Sequence, residues 1–321
     1  MNKNILITGG AGFIGINIAK KLRDLGNKIT IYDNLSRESI RYDVDGLKIN
    51  FVKGDIRDQN KLNNTLKNID VVFHLAFING TRFFYDNPKN VIDVGLEGIL
   101  NLMKCMKKNN NKELYLASSS EVYQTPLRIP TNENEILKIP DVYNPRYSYG
   151  STKAISEIIS VHYGKEFLEK LIIFRPHNVY GPNMGQEHVI PSILKKVLLA
   201  KKNNLNFIEI EGSGKETRSF NYIDDFCYGI ELLFNCKNTF ETFNIGSNDE
   251  IKIIDLVKKI LFQLKIELDI KTSMIKAGST KRRCPDIKKI SSLGYIAKTN
   301  LEDGLNKTIN WYLKDFEQIK L

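Results

Sequence analysis

A glycine-rich run between an apolar stretch and an amphipathic one constrains this chain more than any other feature. The run covers residues 8–15 (TGGAGFIG), follows the apolar residues 5–7 and opens a helix-like stretch near residues 13–25. Glycines at such a junction permit a tight turn, let the backbone approach a phosphate, and let the helix pack closely on the strand. The helix start then offers unpaired N–H groups to an anion. The run predicts an α/β fold whose first strand-to-helix turn binds phosphate groups.

Short apolar runs and longer amphipathic stretches alternate through the first half of the chain. Strand-like runs lie at residues 5–8, 29–32, 50–52, 71–74, 113–117 and 171–174, and helix-like stretches near residues 13–25, 58–67, 90–108 and 148–168. Strands that alternate with helices form a parallel sheet with helices on both faces. We therefore predict a Rossmann-type, doubly wound parallel sheet.

The pattern changes after about residue 176. Gly181 and Pro182 interrupt it, a helix pattern follows over residues 191–200, and the remainder mixes short strands and helices with glycine turns. We predict that residues 1–176 form the sheet domain and that residues 177–321 form a smaller mixed α/β lobe for the substrate. We also expect the chain to cross between the two lobes.

Composition excludes several classes of protein. The 321 residues are 42% hydrophobic and 26% charged, as in a folded globular protein, which excludes disordered and coiled-coil chains. Lys and Arg exceed Asp and Glu by 47 to 37, but the lysines are scattered. This distribution argues against a nucleic-acid partner and is compatible with an anionic substrate. The cysteines and histidines show no metal-binding spacing, so we expect no metal site.

The sequence also bears on location. No apolar run approaches the roughly 18 residues that span a bilayer, and no signal peptide precedes the first strand-like run. We therefore expect a cytoplasmic protein without a membrane partner.

An acidic residue at the end of the second strand-like run points to a dinucleotide. Asp33 lies about 20 residues beyond the glycines, where an acid accepts hydrogen bonds from ribose hydroxyls and repels a 2′-phosphate. This favours NAD over NADP, although Arg37 and Arg41 leave NADP open. The ends of the third and fourth runs add further candidates. The predicted NAD-binding residues of these runs are Gly9, Gly12, Phe13, Ile14, Gly15, Asp33, Asn34, Asp55, Ile56, Leu75 and Ala76.

A tyrosine and a lysine lie four residues apart at the start of the helix-like stretch near residue 148. This spacing places Tyr149 and Lys153 on one face of the helix. A phenol with a pKa near 10 is a weak base at neutral pH, but a neighbouring ammonium favours the phenolate. Tyr149 can then remove a proton from a sugar hydroxyl while hydride leaves the same carbon. With the glycine run, the pair indicates a dehydrogenase-type reaction.

Together these motifs resemble the extended short-chain dehydrogenase/reductase family, and within it the NAD-dependent nucleotide-sugar epimerases and dehydratases. The similarity covers nearly the whole chain, at residues 8–15, 33, 55, 74–76, 118–123, 149–153, 175–182, 218–225 and 282–287. It implies NAD in the first lobe, a nucleotide-diphosphate sugar in the second, a homodimer, and a role in making polysaccharide precursors. It also implies that Tyr149, Lys153 and Pro176 contact the cofactor and that Ser119 hydrogen-bonds the reacting sugar oxygen.

Glu121 decides which reaction we favour. By the same resemblance, dehydratases and uronic-acid decarboxylases carry a Glu at this place, whereas relatives that only invert C4 generally need none. Such a carboxylate could take the C5 proton and help to expel the C6 hydroxyl. We therefore favour a 4,6-dehydratase that oxidises C4 transiently, with Ser119, Glu121, Tyr149 and Lys153 as catalytic residues.

Other outcomes stay open. They are a 4-epimerase, a 3,5-epimerase, a uronic-acid decarboxylase and a C4 oxidoreductase. The pairing of His177 with Asn178 and the bulky segment of residues 77–84 are similar to 3,5-epimerases. His177 could be a further acid–base group because its pKa can lie near neutrality, or it could be a packed histidine. A non-enzymatic cofactor-binding protein is disfavoured because Tyr149 and Lys153 are both present.

The resemblance also assigns contacts to the substrate. Asn178 and Arg218 match positions that contact the diphosphate, and either Arg282 or Arg283 matches a late arginine with the same task. Amide donors and cations suit a pyrophosphate. The predicted substrate-binding residues are Arg82, His177, Asn178, Val189, Arg218 and Arg283.

Overall fold

The computed structural model describes residues 2–36, 45–274 and 278–318. Its strands are β1 (Asn4–Thr8), β2 (Lys28–Asp33), β3 (Asn50–Lys53), β4 (Val71–His74), β5 (Glu113–Ala117), β6 (Lys170–Pro176), β7 (Val179–Tyr180), β8 (Phe207–Glu211), β9 (Thr217–Ser219), β10 (Asn221–Tyr222), β11 (Phe240–Ile245), β12 (Glu250–Lys252), β13 (Asp269–Ser273) and β14 (Arg282–Arg283). Its helices are α1 (Phe13–Asp24), α2 (Gln59–Thr65), α3 (Thr81–Asp86), α4 (Pro88–Asn109), α5 (Ser148–Gly164), α6 (Val189–Lys202), α7 (Ile223–Asn235), α8 (Ile253–Leu264), α9 (Lys288–Ser291) and α10 (Leu301–Gln318). Short 3-10 helices cover Asp45–Leu47, Ser120–Tyr123 and Pro145–Tyr147.

The main sheet consists of seven parallel strands in the order β11-β6-β5-β4-β1-β2-β3. The strand order reverses beside β1, which has β2 on one side and β4 on the other. Ligands bind at such a point because the connections after the two strands lead to opposite faces of the sheet and leave a crevice. This topology confirms the predicted Rossmann-type, doubly wound sheet.

Both faces of the sheet are covered by apolar cores. In β1, Ile5 and Ile7 pack in the core that contains Ile16 of α1, whereas Leu6 packs in the core that contains Ile99 of α4. All five side chains are fully buried. Successive side chains of a strand point to opposite faces, so a strand with two buried faces must be continuously apolar.

Most strands after residue 177 belong to smaller sheets. Strand β13 pairs with β8, β9 lies between β12 and β14, and β10 pairs with β7. Strand β11 instead joins the main sheet, parallel to β6. We therefore keep residues 1–176 and 177–321 as a proposed division in which the chain crosses back to the first lobe at β11.

Element positions follow the sequence pattern closely in the first half. Strand β4 coincides with the run at residues 71–74, and α5 ends at Gly164, four residues before the predicted end. The six-residue helix α3 was not predictable, because fewer than two turns show no helical period. Within the described ranges, no helix is long and apolar enough to cross a membrane.

Candidate active site

A cavity of about 590 Å³ opens at the carboxyl ends of β1, β4 and β5. This volume and position are typical of small-molecule sites in doubly wound sheets. The lining combines the turn after β1 with residues of both proposed lobes. It includes the predicted residues Gly9, Gly12, Phe13, Ile14, Gly15, Asp33, Asn34, Asp55, Ile56, Leu75, Ala76, Ser119, Glu121, Tyr149, Lys153, Pro176, Asn178, Val189, Arg218 and Arg283.

The turn between β1 and α1 makes a cradle because it lacks side chains. Gly9 has a φ of +67°, and a Cβ there would lie 2.5 Å from the backbone nitrogen of Ala76. A Cβ on Gly15 would lie 2.5 Å from the carbonyl oxygen of Gly9. A Cβ on Gly12 would meet one atom within 4 Å, at 3.4 Å, and would otherwise fill open space at the cavity. Glycine is therefore required for the turn at Gly9, for packing at Gly15, and for room at Gly12.

The carboxylate of Asp33 lies at the end of β2 on the wall of the cavity. Its oxygens accept hydrogen bonds from the backbone N–H groups of Ala11, at 3.1 Å, and Leu35, at 2.8 Å. These bonds fix the acid beside the glycine turn, where a ribose next to a bound pyrophosphate would lie. Arg37 and Arg41, which left NADP open, lie outside the described residues.

Asp55 forms the next part of this wall. Arg57 pairs with its carboxylate at 2.9 Å, and Asn34 donates to it at 3.0 Å. The hydrogen bond from Arg57 holds the pKa of Asp55 well below its usual range. Asp55 therefore stays ionised and acts as a hydrogen-bond acceptor at this end of the cavity.

Tyr149 and Lys153 lie in the first turns of α5 and are nearly buried, 5% and 3% exposed. The Lys153 ammonium donates to the carbonyl oxygen of Ala117 at 2.6 Å. Burial lowers the pKa of Lys153 to about 7, although the carboxylate of Glu157 opposes this shift. When protonated, Lys153 places a positive charge beside the cavity that favours the phenolate form of Tyr149.

Ser119 lies directly before the 3-10 helix Ser120–Tyr123. Its Oγ accepts a hydrogen bond from the backbone N–H of Glu121 at 3.1 Å, and the residue is 9% exposed. A hydroxyl that accepts one bond still has a proton to donate. Ser119 can therefore donate to an oxygen of a ligand in the cavity, as the resemblance implies.

Glu121 is held between two arginines. Arg146 Nη2 donates to its Oε1 and Oε2 at 2.9 and 3.1 Å. Arg283 Nη1 and Nη2 donate to the same two oxygens at 2.7 and 3.1 Å. Burial alone would raise the pKa of Glu121, but the two guanidinium groups outweigh it and hold the pKa well below its usual range. The carboxylate is thus ionised at neutral pH and accepts four hydrogen bonds from three guanidinium nitrogens, and the two arginines leave the cluster with one positive charge in excess.

Asn178 and Arg218 add polar groups to the lining of the cavity. Asn178, with a φ of +38°, donates to the carbonyl oxygen of Ser219 at 2.8 Å. Arg218 donates to the carbonyl oxygens of Thr217 and Thr280, both at 2.7 Å. Burial, followed by the nearby charge of Arg283, lowers the pKa of Arg218 to about 10. Arg218 remains a cation at neutral pH, and an anionic ligand would relieve its unfavourable burial.

Two of the predicted substrate-binding residues do not line the cavity. His177 is 1% exposed and does not line the cavity; its Nε2 lies 3.2 Å from Asn244 Oδ1 in a buried network. Burial lowers the pKa of His177 to about 3, so it is a packed neutral histidine. Arg82 also lies outside the lining, because its side chain is 69% exposed and pairs with Asp86 one helical turn later.

Sequence reasoning missed three prominent residues of the site: Arg146, Phe77 and Phe84. Arg146 precedes Tyr149 by three residues, and this helix-like spacing was a signal that could have found it. The bulky segment at residues 77–84 was noted only as a likeness to 3,5-epimerases. The further lining residues that were not predicted include Tyr32, Arg57, Asn79, Asn90, Val94, Ser118, Ser120, Val179, Glu187 and His188.

Comparison with known proteins identifies the family. The sequence profile described as GDP-mannose 4,6 dehydratase matches residues 6–308. The chain belongs to the GDP-mannose 4,6-dehydratase family. It is 31% identical over 314 residues to a putative UDP-glucose 4-epimerase of Methanocaldococcus jannaschii, covering 96% of this chain and 97% of the relative. It is also 31% identical over 327 residues to UDP-N-acetyl-alpha-D-glucosaminuronate decarboxylase of Bacillus cytotoxicus, covering 97% and 98%.

Solved structures agree with this family assignment. The dTDP-glucose 4,6-dehydratase DesIV of Streptomyces venezuelae, crystallised with NAD bound, superimposes with a TM-score of 0.87 at 25% identity, covering 98% of each chain. The protein is therefore an NAD-dependent enzyme of a nucleotide-sugar family whose members include epimerases, dehydratases and decarboxylases.

The described residues fit NAD. The side-chain-free cradle at Gly9, Gly12 and Gly15 would hold the pyrophosphate, and Asp33 would accept hydrogen bonds from the ribose. Lys153, which lines the same cavity, would lie beside the nicotinamide half. Among the described residues, no group of three or more His, Cys, Asp or Glu side chains could hold a metal ion.

Proposed function

We propose that this chain acts on a nucleotide-diphosphate sugar by oxidising the sugar transiently at C4, and that Tyr149 removes the proton of the C4 hydroxyl. The phenol lines the cavity, is 5% exposed and lies one helical turn from Lys153. The ammonium of Lys153 favours the phenolate, and Ser119 donates a hydrogen bond to the same sugar oxygen. Bound NAD supplies the hydride acceptor for this step.

The reaction that follows depends on the cluster formed by Arg146, Glu121 and Arg283. We propose that the sugar is a uronic acid and that it loses its C6 carboxyl group as carbon dioxide. The main observation behind this proposal is that both arginines contact the single carboxylate of Glu121, so the cluster has one positive charge in excess. Guanidinium groups form bidentate pairs with carboxylates, so a sugar carboxylate can take the place of Glu121 on one arginine.

Decarboxylation requires little acid–base work from the protein. Once C4 is a ketone, the C6 carboxylate is in the β position. The C5–C6 bond then breaks, its electron pair passes into the C4 carbonyl as an enolate, and carbon dioxide leaves. A proton from solvent is then added at C5, and C4 becomes an alcohol again when the hydride returns to it and Tyr149 gives back the proton. The arginines need only to hold the carboxylate and to balance its charge.

Dehydration across C5 and C6 is the second candidate, favoured by the position of Glu121 on the cavity wall. In this reaction the residue must take the C5 proton and then pass a proton to the departing C6 hydroxyl. A carboxylate that already accepts four hydrogen bonds, with its pKa held low, is a weak base. The geometry therefore favours decarboxylation over the dehydratase expected from the sequence.

A panel of nucleotide hexoses and nucleotide uronic acids, analysed by mass spectrometry, tests the proposal. We expect a uronic acid to lose the mass of carbon dioxide. Loss of the mass of water from a hexose would support the second candidate, and a product of unchanged mass with altered NMR couplings would indicate an epimerase. Either of these results, without decarboxylation, would contradict the proposal.

Two adjacent arginines provide a matched pair of variants. Arg283 contacts Glu121, whereas the side chain of Arg282 is 53% exposed and pairs with Glu250. We expect Arg283→Met to reduce decarboxylation by roughly a hundredfold, since removal of one preorganised hydrogen-bond donor from an oxyanion hole costs about 2.7–4 kcal/mol. We expect Arg282→Met to leave it within about twofold. Equal effects of the two variants would remove the assigned role of Arg283.

Tyr149→Phe tests the oxidation step itself. The variant keeps the ring and its packing but has no hydroxyl, so turnover should fall by roughly a hundredfold or more while NAD still binds. Turnover is measured by product formation and NAD binding by calorimetry. Unchanged turnover would show that Tyr149 is not the base.

A further inference from the structure

The short helix α3 places an aromatic ring against the phenol of Tyr149. Phe84 of α3 is 2% exposed, and its ring is stacked on that of Tyr149, with centroids 4.8 Å apart and planes 14° apart. Both residues line the cavity. Stacked rings of this kind prefer one relative orientation, so the contact restricts the rotation of the phenol.

The same ring also contacts the arginine cluster. The guanidinium carbon of Arg146 lies 5.3 Å from the centroid of Phe84, and Arg146 in turn contacts Glu121. Helix α3 packs against the 3-10 helix Pro145–Tyr147 that carries this arginine. Phe84 is therefore in contact both with the phenol and with the cation next to it.

A second phenylalanine completes the surroundings of the phenol. Phe77 lies edge-on to Tyr149, with centroids 5.2 Å apart and planes 89° apart, and the ammonium of Lys153 lies 4.1 Å from its centroid. Gly95 of α4 makes room for it, because a Cβ there would lie 2.4 Å from Phe77 Cζ. The phenol ring thus has one aromatic neighbour on its face and another at right angles to it.

We propose that Phe84 is a positioning residue for Tyr149: its stacked ring fixes the direction of the phenol oxygen and covers the ring against water. The inference rests on the proposed function, in which Tyr149 removes the C4 proton. A base must lie within hydrogen-bond reach of the proton that it takes. A displacement of about 1 Å can lower the rate by roughly a hundredfold.

The test compares Phe84→Leu with Phe84→Tyr in the NAD-loaded enzyme. Leu removes the stacking and keeps an apolar side chain, whereas Tyr keeps the ring. We expect Phe84→Leu to lower kcat by roughly tenfold to a hundredfold with KM little changed, because orientation of the base matters in the transition state rather than in binding. We expect Phe84→Tyr to restore kcat to within about threefold of the parent.

A buried phenylalanine elsewhere controls for the loss of a ring. Phe226 of α7 is fully buried in the core, so Phe226→Leu should lower the melting temperature and leave kcat nearly unchanged. Equal losses of kcat in Phe84→Leu and Phe226→Leu would overturn the proposal. So would a Phe84→Tyr variant that is as slow as Phe84→Leu.

A readout that does not use turnover separates this inference from the proposed function. Nitration of Tyr149 by tetranitromethane, followed by peptide mass spectrometry, reports how accessible the phenol ring is. Tyr149 should be nitrated several times faster in Phe84→Leu than in the parent or in Phe84→Tyr. If Tyr149→Phe kept full turnover, the proposed base would fail, and the nitration rates would still decide whether Phe84 covers the phenol. Unchanged nitration would contradict the inference.

Discussion

At the scale of single residues, the site combines ionised groups that would be unstable if any partner were removed. Glu121 is 16% exposed at its side chain and pairs with two arginines that are 10% and 9% exposed. Charges in such surroundings are stable only when they are paired and hydrogen-bonded. The same pairing that stabilises the fold therefore also holds two cations at the wall of the cavity.

Removal of the Glu121 charge should destabilise the protein. Glu121→Gln leaves Arg146 and Arg283 close together without a carboxylate, so the free energy of unfolding should fall by about 3 kcal/mol at neutral pH. It is measured by urea denaturation. The double variant Glu121→Gln/Arg146→Met has one cation fewer and should recover part of the loss; no recovery would mean that repulsion between the arginines is not the cause.

The pH dependence of this effect has a definite sign. The folded state lowers the pKa of Glu121, so its carboxylate stabilises the protein above the ordinary carboxyl pKa, near 4, and this contribution is lost as the pH falls. The difference in stability between parent and Glu121→Gln should therefore narrow below about pH 4.

At Lys153, in contrast to Glu121, the charge that serves the proposed reaction lowers the stability of the protein. Burial lowers the pKa of Lys153 to about 7, so the folded state resists its protonation and the protein loses stability as the pH falls from about 10 towards 7. Lys153→Met should raise the free energy of unfolding of the cofactor-free protein at pH 7 by about 1–2 kcal/mol. The gain should vanish near pH 10. A loss of stability at neutral pH would show that the hydrogen bond to Ala117 outweighs the burial of the charge.

At the scale of elements, the turn between β1 and α1 allows few residues other than glycine, because its backbone is tightly bent and closely packed. Gly9 combines a positive φ with a close approach to Ala76. Gly26, just after α1, has a φ of +85° with no other atom within 4 Å of the place of a Cβ. An alanine at Gly26 would have only an unfavourable backbone conformation, whereas an alanine at Gly9 would also be crowded. Comparing the two substitutions therefore separates the free-energy cost of the conformation from that of crowding.

This difference predicts the outcome of alanine substitution. Gly26→Ala should lower the free energy of unfolding by about 1 kcal/mol and leave NAD affinity unchanged. Gly9→Ala should lose clearly more stability and bind NAD at least tenfold more weakly, because the turn must move away from Ala76. Denaturant titration and calorimetry give the two quantities. Similar results for the two variants would mean that crowding at Gly9 is unimportant.

At the scale of the whole molecule, the exposed apolar side chains of α5 bear on assembly. Ile155 and Ile158 are 38% and 57% exposed, and their spacing of three makes them neighbours on the helix surface. Contiguous exposed apolar patches mark interaction sites, and these two isoleucines would form part of such a patch. The homodimer implied by the family resemblance stays a prediction, and we place its interface on this helix.

One charged substitution tests this placement. Ile158→Glu should convert a dimer to a monomer, because the interface would have to bury an unpaired carboxylate. Phe262 of α8 is 80% exposed and supplies the control, so Phe262→Glu should leave the assembly unchanged. Analytical ultracentrifugation measures the mass of each variant. A dimeric Ile158→Glu variant would exclude this helix from the interface.

The sequence alone determined the parallel sheet and those residues of the candidate site that local geometry brings together. The glycine run, Asp33 and the pair of Tyr149 and Lys153 depend on local geometry: a turn needs glycine, and a helix brings residues four apart to one face. Strands buried on both faces must be apolar, so their positions could also be predicted.

Tertiary structure decided the rest, because those contacts join residues that are far apart in the chain. Glu121 lies 162 positions from Arg283, and only the fold brings the two side chains together. As a result, the residue expected to act as a base is the shared anion of two ion pairs. In the same way, packing enclosed His177 behind the cavity and pointed Arg82 to solvent. Local patterns specify backbone geometry, whereas the protonation and orientation of a side chain depend on which distant groups surround it.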